Sequence, residues 1–245
     1  MSRAFVLSCM ALLAACSSTD APSGRKGGPT TGNSGQLLEN TRAYKPLELA
    51  NLDDNVRNDT LLVYTTHSMR NGTFVMAARN VEENREGLRL YLYKPRPDSS
   101  AEILAVSKPA YDSEVMLPTF FSTGDTADGT IILANYGGLE SWGQNVFWLV
   151  GGHFKDLGWL DVADRTFKVR MDSLQQWRST IAPFTNVHGE GGKFDFTFRG
   201  DSVLLYDDLQ GGREVMLPTS RIRYRYDGKG MVLIVDGRPR IPMPL

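Results

Sequence analysis

In Leu88-Arg89-Leu90-Tyr91-Leu92-Tyr93 an apolar residue returns at every second position, and Phe194-Asp195-Phe196-Thr197-Phe198 repeats the pattern with phenylalanines. Successive side chains of a strand point to opposite faces, so this spacing gathers the three leucines, or the three phenylalanines, on one face. A helix would scatter them around its circumference. Similar runs at 61–66, 73–78, 102–106, 130–135, 167–171, 202–206 and 231–235 are bounded by Gly, Asn, Asp and Pro, the residues that end strands. The expected fold is all-β: an antiparallel meander, arranged as a propeller-like or duplicated-sheet (sandwich) structure, with one short helix.

Two hairpins stand out. In the first, Gly151-Gly152 separates Val146-Phe147-Trp148-Leu149-Val150 from His153-Phe154-Lys155-Asp156-Leu157, and two glycines permit the positive φ angles of a tight primed turn. In the second, Tyr224-Arg225-Tyr226 is joined to Met231-Val232-Leu233-Ile234 through Asp227-Gly228-Lys229-Gly230. The helix is expected after Asp172, a good N-cap followed three residues on by Gln175; Leu174, Trp177 and Ile181 would share one side before Pro183 ends it.

Glu114-Val115-Met116-Leu117-Pro118-Thr119 recurs as Glu214-Val215-Met216-Leu217-Pro218-Thr219. A duplicated unit would suit a propeller or a doubled sheet; the alternative is one strand-and-turn solution reached twice.

Arg3 precedes the apolar run Ala4 to Leu13, which ends at Ala14-Ala15-Cys16. Such a run is a secretory signal and falls short of the roughly 20 apolar residues that cross a bilayer. Leu13-Ala14-Ala15-Cys16 resembles the lipobox of bacterial lipoproteins. That resemblance implies cleavage before Cys16, acylation of its thiol, including palmitate, and a mature chain held on a membrane in the cell envelope. Ser17 in place of Asp resembles lipoproteins passed to the outer membrane where the host is a diderm bacterium. The expected division is a signal peptide at 1–15, a lipidated Cys16 with a Ser/Thr/Gly/Pro-rich tether to 36, and one β-rich domain at 37–245.

Of the two cysteines, Cys9 leaves with the signal and Cys16 carries lipid, so no internal disulfide is expected. Loss of Arg3 turns the 27 basic residues into 26 against 28 acidic, a net charge of −2 with both signs interspersed. No nucleic-acid partner is expected from such a surface.

The stretch Gly129-Thr130-Ile131-Ile132-Leu133-Ala134-Asn135-Tyr136-Gly137-Gly138, then Ser141-Trp142-Gly143 and the hairpin to Trp159, resembles a segment of uncharacterised bacterial envelope proteins. There a strand ends in Tyr-Gly-Gly-Ser-x-Trp; here Leu139-Glu140 intervenes before Ser141. Some of those proteins resemble integrin-type propeller repeats, whose Asp-x-Asp-x-Asp-Gly loop binds calcium. Leu52-Asp53-Asp54-Asn55 lacks that alternation and the glycine, so no calcium site carries over, and the resemblance implies no catalytic residue.

The three histidines, His67, His153 and His188, have no His or Cys at metal-ligand spacing, and no metal or other cofactor is expected. His188-Gly189-Glu190-Gly191-Gly192 sets an imidazole and a carboxylate on what reads as a flexible loop. Asp125, Asp128, Asp207 and Asp208 fall in turns, where Asp is common for its own hydrogen bonding and where paired carboxylates can also hydrolyse glycosides. The serine elbow Gly-x-Ser-x-Gly is missing around Ser141, and no phosphate-binding glycine motif opens a helix. Arg221, Arg223 and Arg225 alternate with Ile222, Tyr224 and Tyr226, giving a basic face to one strand, a solvated face or a surface for anionic lipid or glycan. Trp142 lies among glycines, outside any alternating run, and with Tyr136 and Ser141 is the expected recognition surface for a glycan or an envelope protein. The expected function is non-catalytic binding; the alternative is a hydrolase using Asp125, Asp128, Glu190, Asp207 and Asp208.

Overall fold

The period-two runs all form strands in the computed structural model, which describes residues 38, 41–50, 61–81, 87–97, 100–109, 115–137, 141–207 and 213–240. In chain order the strands are β1 (Arg42–Leu47), β2 (Leu61–Ser68), β3 (Phe74–Asn80), β4 (Leu88–Pro95), β5 (Ala101–Val106), β6 (Val115–Ser122), β7 (Thr130–Gly137), β8 (Ser141–Val150) and β9 (His153–Leu160). They continue with β10 (Val162–Arg170), β11 (Ser173–Ser179), β12 (Thr185–Glu190), β13 (Lys193–Phe198), β14 (Ser202–Asp207), β15 (Arg213–Pro218), β16 (Ile222–Tyr226), β17 (Met231–Val235) and β18 (Arg238–Pro239). Every pairing is antiparallel, and the sheets curl into a half-barrel.

β1 joins the largest sheet together. Its residues 42–44 pair with β12 and its residues 45–47 with β6, which links two meanders into the ten-stranded order β18-β17-β16-β13-β12-β1-β6-β7-β8-β9. The strands β2-β3-β4-β5 form a second sheet, and β11-β10-β14-β15 a third. A ten-stranded sheet continuous through β1 is not a ring of separate four-stranded blades; the all-β antiparallel expectation holds, with the sheets curled rather than set in blades.

The meander β6–β9 is buried on both faces. Phe121, Ile131, Leu133, Val146 and Leu157 face a core shared with Phe194, Phe196, Phe198, Val203 and Tyr224. Phe120, Ile132, Ala134, Phe147 and Leu149 face the other way, against Val75, Ala77, Leu88, Leu90 and Leu92 of the second sheet. This explains why β7 reads as a continuous apolar run, Ile131-Ile132-Leu133-Ala134: a strand covered on both sides has no polar face to alternate with. Leu88, Leu90 and Leu92 share one face, as their spacing predicts, and so do the three phenylalanines of β13.

Three expectations are corrected. The segment from Asp172 is strand, not helix: Met171 and Asp172 both take positive φ, 48° and 59°, the geometry of a two-residue primed turn, and β11 pairs back along β10 from Arg170↔Ser173 to Asp164↔Ser179. Leu174 is 68% exposed whereas Ile181 is 1% exposed, so the apolar side the helix required does not exist. His188-Gly189-Glu190 is not a loop but the end of β12, paired across to β13 and turned by Gly191-Gly192. A Cβ on Gly189 would stand 2.4 Å from the Phe194 ring, so the glycine is there to admit the cross-strand aromatic. Trp142 belongs to strand β8, next to Ser141, which pairs with Gly137 of β7, and not to a glycine-rich loop.

The repeated hexapeptide occupies unequal places. From Val115 to Thr119 its first copy lies in β6, between β1 and β7; its second forms edge strand β15, and Thr219 opens a 3-10 turn where Thr119 continues the strand. β6 pairs with the strand that follows it, β7, but β15 does not pair with the strand that follows it, β16, so the strand order around the two copies does not repeat.

Candidate functional site

The expected recognition residues sit at one end of the double-faced meander. Tyr136 is in β7, opposite Met116 of β6, and Ser141 and Trp142 open β8. Their side chains, residues 138–140 and Cys16 lie outside the described residues, as do the side chain of Asp207 and the whole of Asp208.

At the other end, the loop from Thr123 to Gly129 gathers two of the expected carboxylates. The Arg42 guanidinium donates to Asp128 at 2.8 Å, and the same Nη1 stands 3.6 Å from Asp125. The two carboxyls are therefore close to one another, with one cation within reach of both. The Thr123 hydroxyl, at 2.7 Å, and then Arg42 hold the Asp128 carboxyl below the usual carboxylate range. A general acid needs the opposite displacement. Asp125 accepts from the Ala127 N–H, capping the 3-10 turn Thr126–Asp128, while the Tyr44 hydroxyl and the Trp148 indole both donate to the Asp128 carbonyl at 3.0 and 2.8 Å. Burial, and then the Asp128 charge, push the Tyr44 phenol up to about 12, so it remains a donor. The cluster ties β1 to the meander; Glu190 is exposed at the end of β12. Among the described residues no group of three or more His, Cys, Asp and Glu side chains is placed to hold a metal ion.

The basic face of β16 is largely engaged within the protein. Arg225 forks onto Asp195 at 2.7 and 2.8 Å, and Asp195, fully buried, also accepts from the Leu38 N–H at 3.0 Å. Arg221 forks onto Asp236 at 2.6 and 2.7 Å. Between them, burial and then the neighbouring Arg225 lower the pKa of Arg223.

Beside the Thr123–Gly129 loop opens a cleft of about 290 Å³, where the β2–β3, β6–β7 and β8–β9 turns meet. Leu47, Met69, Leu92 and Leu149 contribute apolar surface, and Arg70, Asn71 and Thr130 are among its polar groups. Among the described residues that line it, Arg70 is the only ionisable one. Its size is at the lower end of ligand sites, and an apolar lining with a few polar groups is their usual character. This cleft has no signal in the sequence, because its residues come from β1, β4 and three turns far apart in the chain. It lies at the start of β7 and Tyr136 near its end, about 20 Å apart at the rise of a strand.

No family model matches the chain, and comparisons with curated proteins and with solved structures return no match.

Proposed function

We propose that the chain is a lipid-anchored, non-catalytic recognition protein of the bacterial cell envelope, fixed through Cys16 and, in a diderm host, placed on the outer membrane. It binds an envelope glycan or protein. The observation that carries the binding reading is the cleft with apolar lining and one ionisable group, which suits holding a ligand better than proton transfer. The lipobox residues Leu13-Ala14-Ala15-Cys16 carry the anchor.

The test is ligand-observed NMR with a panel of peptidoglycan fragments and envelope oligosaccharides, on the native chain and on two variants whose folding is checked by circular dichroism. Loss of binding in Arg70→Ala assigns recognition to the cleft, and loss in Trp142→Ala assigns it to the opposite end of the meander. A panel and an envelope-protein capture both indifferent to the two changes would refute binding at either place. Metabolic incorporation of a palmitate analogue, abolished by Cys16→Ala, tests the anchor separately.

A further inference from the structure

The β10–β11 hairpin is a ribbon that the rest of the protein barely covers. Only Val162 and Ala163 of β10 pair with β14; from Asp164 to Ser179 the two strands pair with each other alone. Register fixes its faces, because directly opposed residues share one. Arg165↔Arg178, Phe167↔Gln176 and Val169↔Leu174 lie on one side, with Thr166↔Trp177, Lys168↔Gln175 and Arg170↔Ser173 on the other. The first side ends in an apolar tip: Phe167 is 51% exposed, Leu174 68%, Val169 75%, and Met171, in the turn, 90%. A two-stranded ribbon is marginal in water, and solvent-exposed apolar side chains clustered at its end mark an interaction site.

We infer that this ribbon is a membrane-contacting arm, whose tip enters the headgroup region of an anionic bilayer. The charges decide the occupant. Arg165, Lys168 and Arg170 lie along the arm towards the apolar tip against Asp164 and Asp172, in a chain whose formal net charge is −1, while Arg178 at the base of the arm is paired with Glu214 of β15. Lys168 stands over the Trp177 ring at 4.9 Å and Arg165 over Phe167 at 5.0 Å, so both cationic heads rest on aromatic faces of the arm. An apolar end with a basic collar is complementary to acyl chains beneath anionic headgroups. From Val169 to the turn the tip is about 7 Å long at the rise of a strand, within the 5–10 Å depth of interfacial elements. The orientation rests on the anchored reading proposed above, since the lipid on Cys16 would hold the arm near a bilayer.

The test places a thiol-reactive, environment-sensitive dye at the tip through Met171→Cys in the full lipidated chain, reconstituted with phosphatidylethanolamine–phosphatidylglycerol vesicles or with phosphatidylcholine vesicles. Lys229→Cys, on an exposed turn, is the aqueous control. The expected result is a blue shift at position 171, with quenching by doxyl-labelled lipid, in the anionic vesicles only. Lys168→Gln and Arg170→Gln should each weaken insertion about fivefold, the factor equivalent to about 1 kcal/mol per basic residue near an anionic surface. A dye at 171 as aqueous as that at 229 in anionic vesicles overturns the inference, as does equal insertion into neutral vesicles, or a shift seen only when envelope protein is added. The unsubstituted chain, labelled in parallel, reports the anchor: dye on it means a free Cys16, which defeats the anchored reading alone.

Discussion

The β8–β9 and β10–β11 hairpins follow one another in the chain and share a design: antiparallel strands joined by a two-residue turn with positive φ at both positions, Gly151-Gly152 in one and Met171-Asp172 in the other. Their surroundings are opposite. Phe147, Val146 and Leu157 of the first are almost wholly buried, between two cores, whereas Val169, Met171 and Leu174 of the second are mostly exposed. Local pattern therefore makes a hairpin, but what covers it decides its role. The first divides two cores; the second is free to meet another surface.

The largest expected effect separates the two environments. Phe147→Ala removes a ring packed against Leu88, Leu90 and Phe154, and should destabilise the protein by about 3–5 kcal/mol in chemical denaturation. Phe167→Ala, the same chemical change on the arm, should cost no more than about 0.5 kcal/mol. Comparable losses at the two positions would mean that the arm is buried against the body in solution.

That contrast also measures what the sequence reveals. Strands were legible wherever one face was apolar, as in β4 and β13, and the hairpins with glycine turns were legible from their turns. β11 was not, because Met171-Asp172 lacks the glycine or asparagine that announces a primed turn, and because Asp172 and Gln175 imitate a helix start. The glycines of 188–192 misled in the other direction, since Gly189 serves the Phe194 ring rather than a flexible loop. Of the candidate site, the turn role of Asp125 and Asp128 was legible. Their partner Arg42 and the cleft were not, for both depend on chain segments that only the sheet order brings together.

Ion pairs sharpen the same comparison at a lower magnitude. Asp195 and Arg225 form a forked pair with side chains 1% and 16% exposed, and Asp195→Ala leaves a mostly buried guanidinium uncompensated, at about 3 kcal/mol. The pair between Arg178 of the arm and Glu214 of β15 has side chains 28% and 34% exposed, so Glu214→Ala should cost at most about 1 kcal/mol. Double-mutant cycles on the two pairs test the ranking; a stronger coupling at Arg178–Glu214 would reverse it.

The turns come next. Met171 and Asp172 hold a left-handed conformation that costs a residue with a Cβ roughly 1–2 kcal/mol. Replacing them with Asn-Gly should stabilise the arm by about 1 kcal/mol, read as slower amide exchange in β10 and β11 with little change elsewhere. Gly151→Ala should do the reverse to the buried hairpin, by a similar amount. Unchanged exchange in the Asn-Gly variant would show that the turn does not limit opening of the arm.

The smallest effect is a pH dependence confined to the body. Asp128 titrates below its ordinary value because Thr123 and Arg42 stabilise its charged form. A carboxylate depressed in the folded state contributes stability above its unfolded pKa, about 3.9, and loses that contribution as pH falls through the folded value. The melting temperatures of the native chain and of Asp128→Asn should therefore differ slightly at pH 7 and converge on acidification below about pH 4. A difference that persists undiminished into strong acid would show that Asp128 acts through hydrogen-bond geometry and not through its charge. In that case the anchoring of β1 to the meander would fall to the Tyr44 and Trp148 donors on the Asp128 carbonyl, which no proton in this range can remove.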